Sequence, residues 1–207
     1  MTQVKICGLT NEGDALRAAE LGANYLGFIF VESSPRFVSP EQVATIAAAV
    51  RTRLGARAPK LVGVFYDHGP EYIREVAAVA TLDLAQLHGG ETNEEIASVG
   101  LPVIKTLRVG TVLPDTGLTP AANWLLFDTH DPHRAGGTGR RFDWSLLVTF
   151  PRTRPFFLSG GLTPDNVVAG ITLVRPDAID LASGVESEPG VKDHALMERL
   201  FEAVLSC

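Results

Sequence analysis

The chain has 207 residues, 45% of them hydrophobic, and a formal net charge of −6. That length suits one domain with a sizeable core, and the acidic balance excludes a nucleic-acid footprint. Apolar runs such as Asn24–Val31 are too short to span a bilayer, the N-terminus lacks a basic-then-apolar signal pattern, and two cysteines, Cys7 and Cys207, make no disulfide framework, so a reducing cytoplasm with no membrane partner is the expected setting.

The first predicted strand is Val4–Cys7. Alternation places Val4 and Ile6 on one face and Lys5 and Cys7 on the other, so a buried outer face leaves a lysine and a thiol inside. A helix over Glu12–Leu21 follows, with Asn11 as N-cap and Gly22 closing it. The second strand is Asn24–Val31, then the loop Ser34-Pro35-Arg36, then Ser39-Pro40-Glu41-Gln42, which combines a capping box with proline at the first helical position of a helix reaching Leu54. Lys60–Tyr66 is the third strand and Pro70–Ala80 its helix. The fourth strand, Leu82–Leu87, ends at His88-Gly89-Gly90, and Thr92-Asn93-Glu94-Glu95 opens a helix stopped by Gly100. Pro102–Leu107 is the fifth strand, and the Gly-, Pro- and Thr-rich stretch after it offers little helix. The sixth strand, Asn123–Asp128, leads into a long loop and a short helix near Asp143–Thr149. The seventh, Pro155–Ser159, precedes Gly160-Gly161 and a helix opened by Thr163-Pro164. The eighth, Asp177–Leu181, precedes Ser183-Gly184 and a final amphipathic helix over Lys192–Leu205. Eight strands alternating with helices predict parallel βαβ units. The reading is a single closed (β/α)8 TIM barrel over residues 1–207, an α/β fold, with a reduced or missing helix after strand five.

Barrel enzymes build their sites at the carboxyl ends of the strands. Here those positions carry Cys7, Arg36, Asp67, His88, Arg108, Asp128, Ser159 and Ser183. Asp128 closes the apolar run Trp124-Leu125-Leu126-Phe127, a desolvating setting that raises a carboxyl pKa and suits a general acid; capping the next loop is the plainer role. Ser159-Gly160-Gly161 and Ser183-Gly184 follow strands seven and eight, where barrels often bind phosphate on backbone N–H groups. Gly136-Gly137-Thr138-Gly139 lacks the Gly-Lys-Ser/Thr of a P-loop and reads as a loop over the mouth. His68, His88, His130, His133 and His194 show no metal-ligand spacing. Lys5 and Asp180 lie on strands one and eight, neighbours in a closed barrel. They are expected to form an interior ion pair below Cys7, its positive charge favouring the thiolate.

Lys5-Ile6-Cys7-Gly8-Leu9-Thr10, Gly27-Phe28-Ile29-Phe30, Ser34-Pro35-Arg36, Gln86-Leu87-His88-Gly89, the Gly136–Gly139 run with Phe142-Asp143-Trp144, Leu158-Ser159-Gly160-Gly161-Leu162 with Pro164-Asp165-Asn166-Val167, and Ser183-Gly184-Val185-Glu186 with Pro189-Gly190 and Lys192-Asp193 together resemble the phosphoribosylanthranilate isomerase family along nearly the whole chain. Ala182 stands where that family usually carries a serine or another small polar residue. The resemblance implies an Amadori rearrangement of N-(5′-phosphoribosyl)anthranilate in tryptophan synthesis. It assigns Asp128 as the acid and Cys7, as thiolate, as the base. It gives Arg36 the anthranilate carboxylate and the turns Ser159-Gly160-Gly161 and Ser183-Gly184 the phosphate, makes His88 and Asp180 substrate-binding, and leaves Gln86, like them, supporting the chemistry without performing it. It implies no metal and no cofactor, a small phosphorylated molecule as the partner, and a monomer or homodimer. Two alternatives stand beside it. One is the analogous isomerase of histidine synthesis, which carries an aspartate at the end of strand one and so disagrees with Cys7. The other is a non-catalytic phosphate-binding barrel.

Overall fold

Side-chain alternation along the first strand settles the two faces of the molecule. In the computed structural model, which describes residues 2–115, 117, 119–129 and 141–207, β1 (Gln3–Cys7) sends Val4 and Ile6 into the apolar layer beneath the helices and turns Lys5 inward onto Asp180. The same division runs through β2 (Tyr25–Ile29), β3 (Lys60–Phe65), β4 (Leu84–Leu87), β5 (Val103–Val109), β6 (Trp124–Thr129), β7 (Phe156–Leu158) and β8 (Ala178–Leu181). The eight strands are parallel neighbours in chain order, and β8 closes on β1 with Lys5 opposite Asp180. Tyr25, Val62, Leu84, Ile104, Leu126, Phe157 and Ala178 fill the lower interior, with the Tyr25 and Phe157 rings edge to face at 5.3 Å. Burial of each large side chain in this plug stabilises the fold by about 1.5–3 kcal/mol. The plug leaves the upper interior as the place inside the barrel for polar groups.

The helices stop and start on the capping residues the sequence supplies. Asn11 accepts from the Asp14 N–H at the start of α1 (Glu12–Glu20), and Ser39 and Thr92 form capping boxes on α2 (Pro40–Leu54) and α4 (Asn93–Ser98). Between the latter two, α3 (Pro70–Ala80) packs on α2. Among the described residues no helix lies between β5 and β6, and only a 3-10 turn, Trp144–Leu147, lies between β6 and β7. The glycine run Gly136–Gly139, with His130 and His133, lies outside the described residues.

Two helix starts differ from expectation by two residues or more. The helix after β7 is α5 (Val167–Val174), starting later than Thr163-Pro164 implies. Asn166 explains this: its amide donates to the Gly161 carbonyl and accepts from the Thr163 N–H, both at 2.9 Å, so Thr163 and Pro164 are spent in a turn. The last helix is α6 (His194–Leu205), capped by Asp193. Lys192 instead belongs to an antiparallel hairpin, β9 (Glu186–Glu188) with β10 (Val191–Lys192), which the sequence does not announce. The Lys192 N–H is held by Asp14 at 2.8 Å and its ammonium is buried, which pulls the residue off the helix.

Candidate active site

The carboxyl ends of the strands open on a cavity of about 830 Å³, within the usual range for a small-molecule site. Cys7, Arg36, His88, Asp128, Ser159, Gly160, Gly161, Asp180, Ser183 and Gly184 all line it, so the structure brings together every residue singled out for binding or chemistry. Asp67 and Arg108, also at strand ends, do not. Asp67 has left-handed backbone (φ 52°) and accepts from the Gly90 N–H at 2.7 Å. The Arg108 guanidinium lies 5.3 Å over the Tyr66 ring.

Cys7 ends β1 above a buried ion pair. Lys5 is fully enclosed, with its ammonium 2.8 Å from Asp180 Oδ1, and Asp180 Oδ2 accepts from the Ser159 hydroxyl at 3.3 Å. Gly27, paired with Cys7 across β1 and β2, makes room for this stack: a Cβ there would sit 2.8 Å from Cys7 Sγ and 3.1 Å from Lys5 Nζ. Burial lowers the tendency of Lys5 to hold its proton, but Asp180 and Cys7 reverse that, and the ammonium is pushed above its ordinary pKa. The charge of Lys5 favours the Cys7 thiolate, as expected, but burial opposes it more strongly. Burial pushes the Cys7 thiol up, and the attraction of Lys5 recovers only some of the cost, so the free protein holds a thiol.

Asp128 sits at the end of β6, on the opposite side of β7 and β8 from Cys7. Burial pushes its carboxyl up to about 6, although the Thr129 N–H, 2.8 Å from Oδ1, holds it down. His88 reaches toward it from beyond β4, Nε2 lying 3.7 Å from Asp128 Oδ2, outside hydrogen-bond range. Burial, reinforced by the charges of Arg108, Lys105 and Lys5, drives His88 down to about 3, so it is a neutral imidazole beside a protonatable carboxyl. Gln86, two residues earlier on the same face of β4, donates to the Thr106 hydroxyl at 3.2 Å.

Arg36 lines the cavity but does not reach into it alone. Its Nε and Nη2 are 2.9 and 2.6 Å from the two carboxylate oxygens of Glu186 in β9. Glu186 in turn receives the Lys192 ammonium at 2.7 Å, and that ammonium also donates to the carbonyls of Cys7 at 2.6 Å and Ala182 at 3.2 Å. Gly8 permits the arrangement. It has φ 73°, and a Cβ there would lie 2.6 Å from Arg36 Cδ, so the arginine stem crosses the turn directly after Cys7. Burial alone would raise the Glu186 carboxyl. The Arg36 fork and the Lys192 charge outweigh it and hold the group below the usual carboxylate range. Sequence reasoning missed Glu186 and Lys192. The available signal was two opposite charges flanking Pro189-Gly190, the tip of a hairpin.

The two glycine turns lie against each other. Gly160 and Gly161 have φ 82° and 67°, and a Cβ on Gly184 would fall 1.9 Å from the Leu162 carbonyl oxygen. Gly184→Ala therefore forces these backbone stretches away from each other. The expected result is a KM raised about tenfold or more, the equivalent of one charge-assisted hydrogen bond to an anion, with inhibition by inorganic phosphate weakened in parallel. Steady-state kinetics with phosphate titration checks this, and an unchanged phosphate inhibition constant would remove the turn from the anion site.

Among the described residues no group of three or more His, Cys, Asp and Glu side chains could hold a metal ion. The family model described as N-(5'phosphoribosyl)anthranilate (PRA) isomerase matches residues 4–203. The N-(5'-phosphoribosyl)anthranilate isomerase of Acaryochloris marina is 42% identical over 211 residues, covering 98% of this chain and 97% of its own. Among solved structures, the phosphoribosyl anthranilate isomerase of Thermus thermophilus superposes with a TM-score of 0.87 at 39% identity, covering 99% of each chain. A phosphoribosyl anthranilate isomerase in complex with reduced 1-(o-carboxyphenylamino)-1-deoxyribulose 5-phosphate superposes with a TM-score of 0.83 at 36% identity over 100% of both chains.

Proposed function

The chain belongs to the N-(5'-phosphoribosyl)anthranilate isomerase family and is an aldose–ketose isomerase of tryptophan biosynthesis, and from that premise we propose how its own residues divide the reaction. The Amadori rearrangement of N-(5′-phosphoribosyl)anthranilate to 1-(2-carboxyphenylamino)-1-deoxyribulose 5-phosphate breaks the ribose C1′–O bond and otherwise only moves protons. Asp128, protonated, gives its proton to the ribose ring oxygen as the C1′–O bond breaks, and the nitrogen lone pair forms the iminium. Cys7, as the minor thiolate form, removes the C2′ proton, and the electron pair left behind neutralises the iminium as an enolamine. That enolamine ketonises by moving its hydroxyl proton to C1′. The observation that carries this reading is a carboxyl poised to protonate near neutral pH facing the same cavity as a thiol that has a buried ammonium beneath it. The turns Ser159-Gly160-Gly161 and Ser183-Gly184 take the phosphate, and Arg36 takes the anthranilate carboxylate as a guanidinium fork. His88 and Asp180 line the floor of the substrate site. The reaction belongs to the cytoplasm, where a working Cys7 stays reduced; among the described residues no helix is long and apolar enough to cross a membrane.

The test is turnover of freshly generated N-(5′-phosphoribosyl)anthranilate, followed by loss of its fluorescence. Cys7→Ala is expected to lower kcat by about 10²–10⁴ while the variant still binds the reduced product analogue. Wild-type turnover in Cys7→Ala would move the base elsewhere, and Asp180 would be the next residue to replace.

A further inference from the structure

The hairpin β9–β10 touches neither the reacting carbons nor the phosphate in the scheme above, yet it is clasped to the mouth at several points. Its tip residue Gly190 accepts a hydrogen bond from the Thr10 hydroxyl, its Lys192 N–H is bound by Asp14, and its Glu186 is buried against Arg36 and Lys192. A guanidinium has five N–H donors on three nitrogens. Glu186 engages Nε and Nη2, and among the described residues Nη1 has no hydrogen-bond partner. An unpaired arginine on a loop samples many rotamers, whereas a fork gripped along one edge presents the other edge in one orientation. The same Glu186 oxygen that receives Arg36 Nε receives Lys192, whose ammonium also holds the backbone carbonyl of Cys7.

We propose that Glu186 is a positioning residue that selects for the carboxylate of the substrate: it fixes Arg36 so that the Nη1 edge is left for that carboxylate, and through Lys192 it locks this edge to the backbone that carries Cys7. The proposal rests on the assignment of Arg36 to the anthranilate carboxylate. The charge at the substrate's aromatic end and the base that attacks its sugar are thereby both referenced to one buried carboxylate. A purely structural Glu186 would affect all ligands alike, and a Glu186 that merely occupied Arg36 until substrate displaced it would weaken carboxylate binding.

Calorimetric titration of the full chain with two probes separates these cases. One probe is the reduced product analogue with its ring carboxyl, and the other is the same compound lacking that carboxyl. In Glu186→Gln, affinity for the carboxylated analogue is expected to fall about tenfold or more, and affinity for the other to change less than about twofold. Glu186→Asp, which keeps the charge for Lys192 but withdraws it by one methylene, should show the same selective loss to a smaller degree and serves if the glutamine variant does not fold. Equal losses for both probes, no loss, or tighter binding of the carboxylated probe would each overturn the proposal. Arg36→Met is run alongside. If that variant fails to distinguish the two probes, the role of Glu186 is read on a sound assignment, because loss of the guanidinium has erased the discrimination. If Arg36→Met still prefers the carboxylated probe as the wild type does, the assignment of Arg36 itself is wrong, and the role of Glu186 falls with it.

Discussion

Asp128→Asn is expected to lower kcat by about 10²–10⁴ and, at pH 7, to raise the stability of the ligand-free protein. The two effects share one cause. Asp128 titrates at about 6 in the folded chain against an ordinary 3.8 because its charged form is desolvated. Between those values the folded state binds more protons than the unfolded state, so stability falls as pH rises through that window and the penalty is fully present above 6. Asparagine carries no charge to desolvate and can still accept from the Thr129 N–H, so it removes a penalty of about 2–3 kcal/mol. The wild-type pH profile follows from the same order of titration. The productive form has Asp128 protonated and Cys7 ionised, but Cys7 titrates above Asp128. That form is therefore a minor tautomer of the singly deprotonated site, and its population rises as pH passes about 6, stays level, and falls only when the thiol ionises in bulk. Plots of kcat/KM against pH, with urea denaturation of both proteins at pH 7, test the account. An Asp128→Asn protein that is both inactive and less stable would mean that the carboxylate is a structural anchor.

The second large effect belongs to the ion pair below the thiol. Lys5→Met leaves Asp180 in a desolvated interior without its counter-ion, and the expected loss is about 3–5 kcal/mol. Lys5→Met combined with Asp180→Asn removes both charges while retaining an acceptor for the Ser159 hydroxyl, and should recover most of that loss. Denaturation midpoints of the single and double variants decide the matter. Equal destabilisation in both would show that lysine packing, and not the unpaired charge, accounts for the loss. The double variant should remain catalytically poor, because Cys7 has then lost the nearest positive charge that opposes its burial.

Where the sequence was legible, the physics was local. Val4 and Ile6 against Lys5 and Cys7 is a period-two pattern that survives folding unchanged, and the desolvation of Asp128 could be read from the four apolar residues before it. The closed barrel followed from counting strands, and the Lys5–Asp180 pair from closure. The illegible features depend on groups far apart in the chain. The ionisation of Cys7 is set by burial in three dimensions, where the apolar penalty outweighs the lysine. Arg36 reads as a free binding arm because its partner lies 150 residues away. Lys192 reads as the start of a helix because nothing beside it in sequence tells of the Cys7 carbonyl it holds. Gly27 was nearer to legible: an isolated glycine inside an apolar strand signals close approach of another group, here a sulfur and an ammonium.

The pairing of β1 with β8 also dictates when the site comes into being during synthesis. The strand that carries the thiol leaves the ribosome long before its supports do. The carboxylate that compensates Lys5 follows that lysine by 175 residues, and the ammonium that holds the Cys7 carbonyl follows the cysteine by 185. Until they emerge, β1 has an open edge and Lys5 has no reason to leave water. The surroundings of Cys7 are complete in the chain only once β8 and the hairpin that follows it have been added.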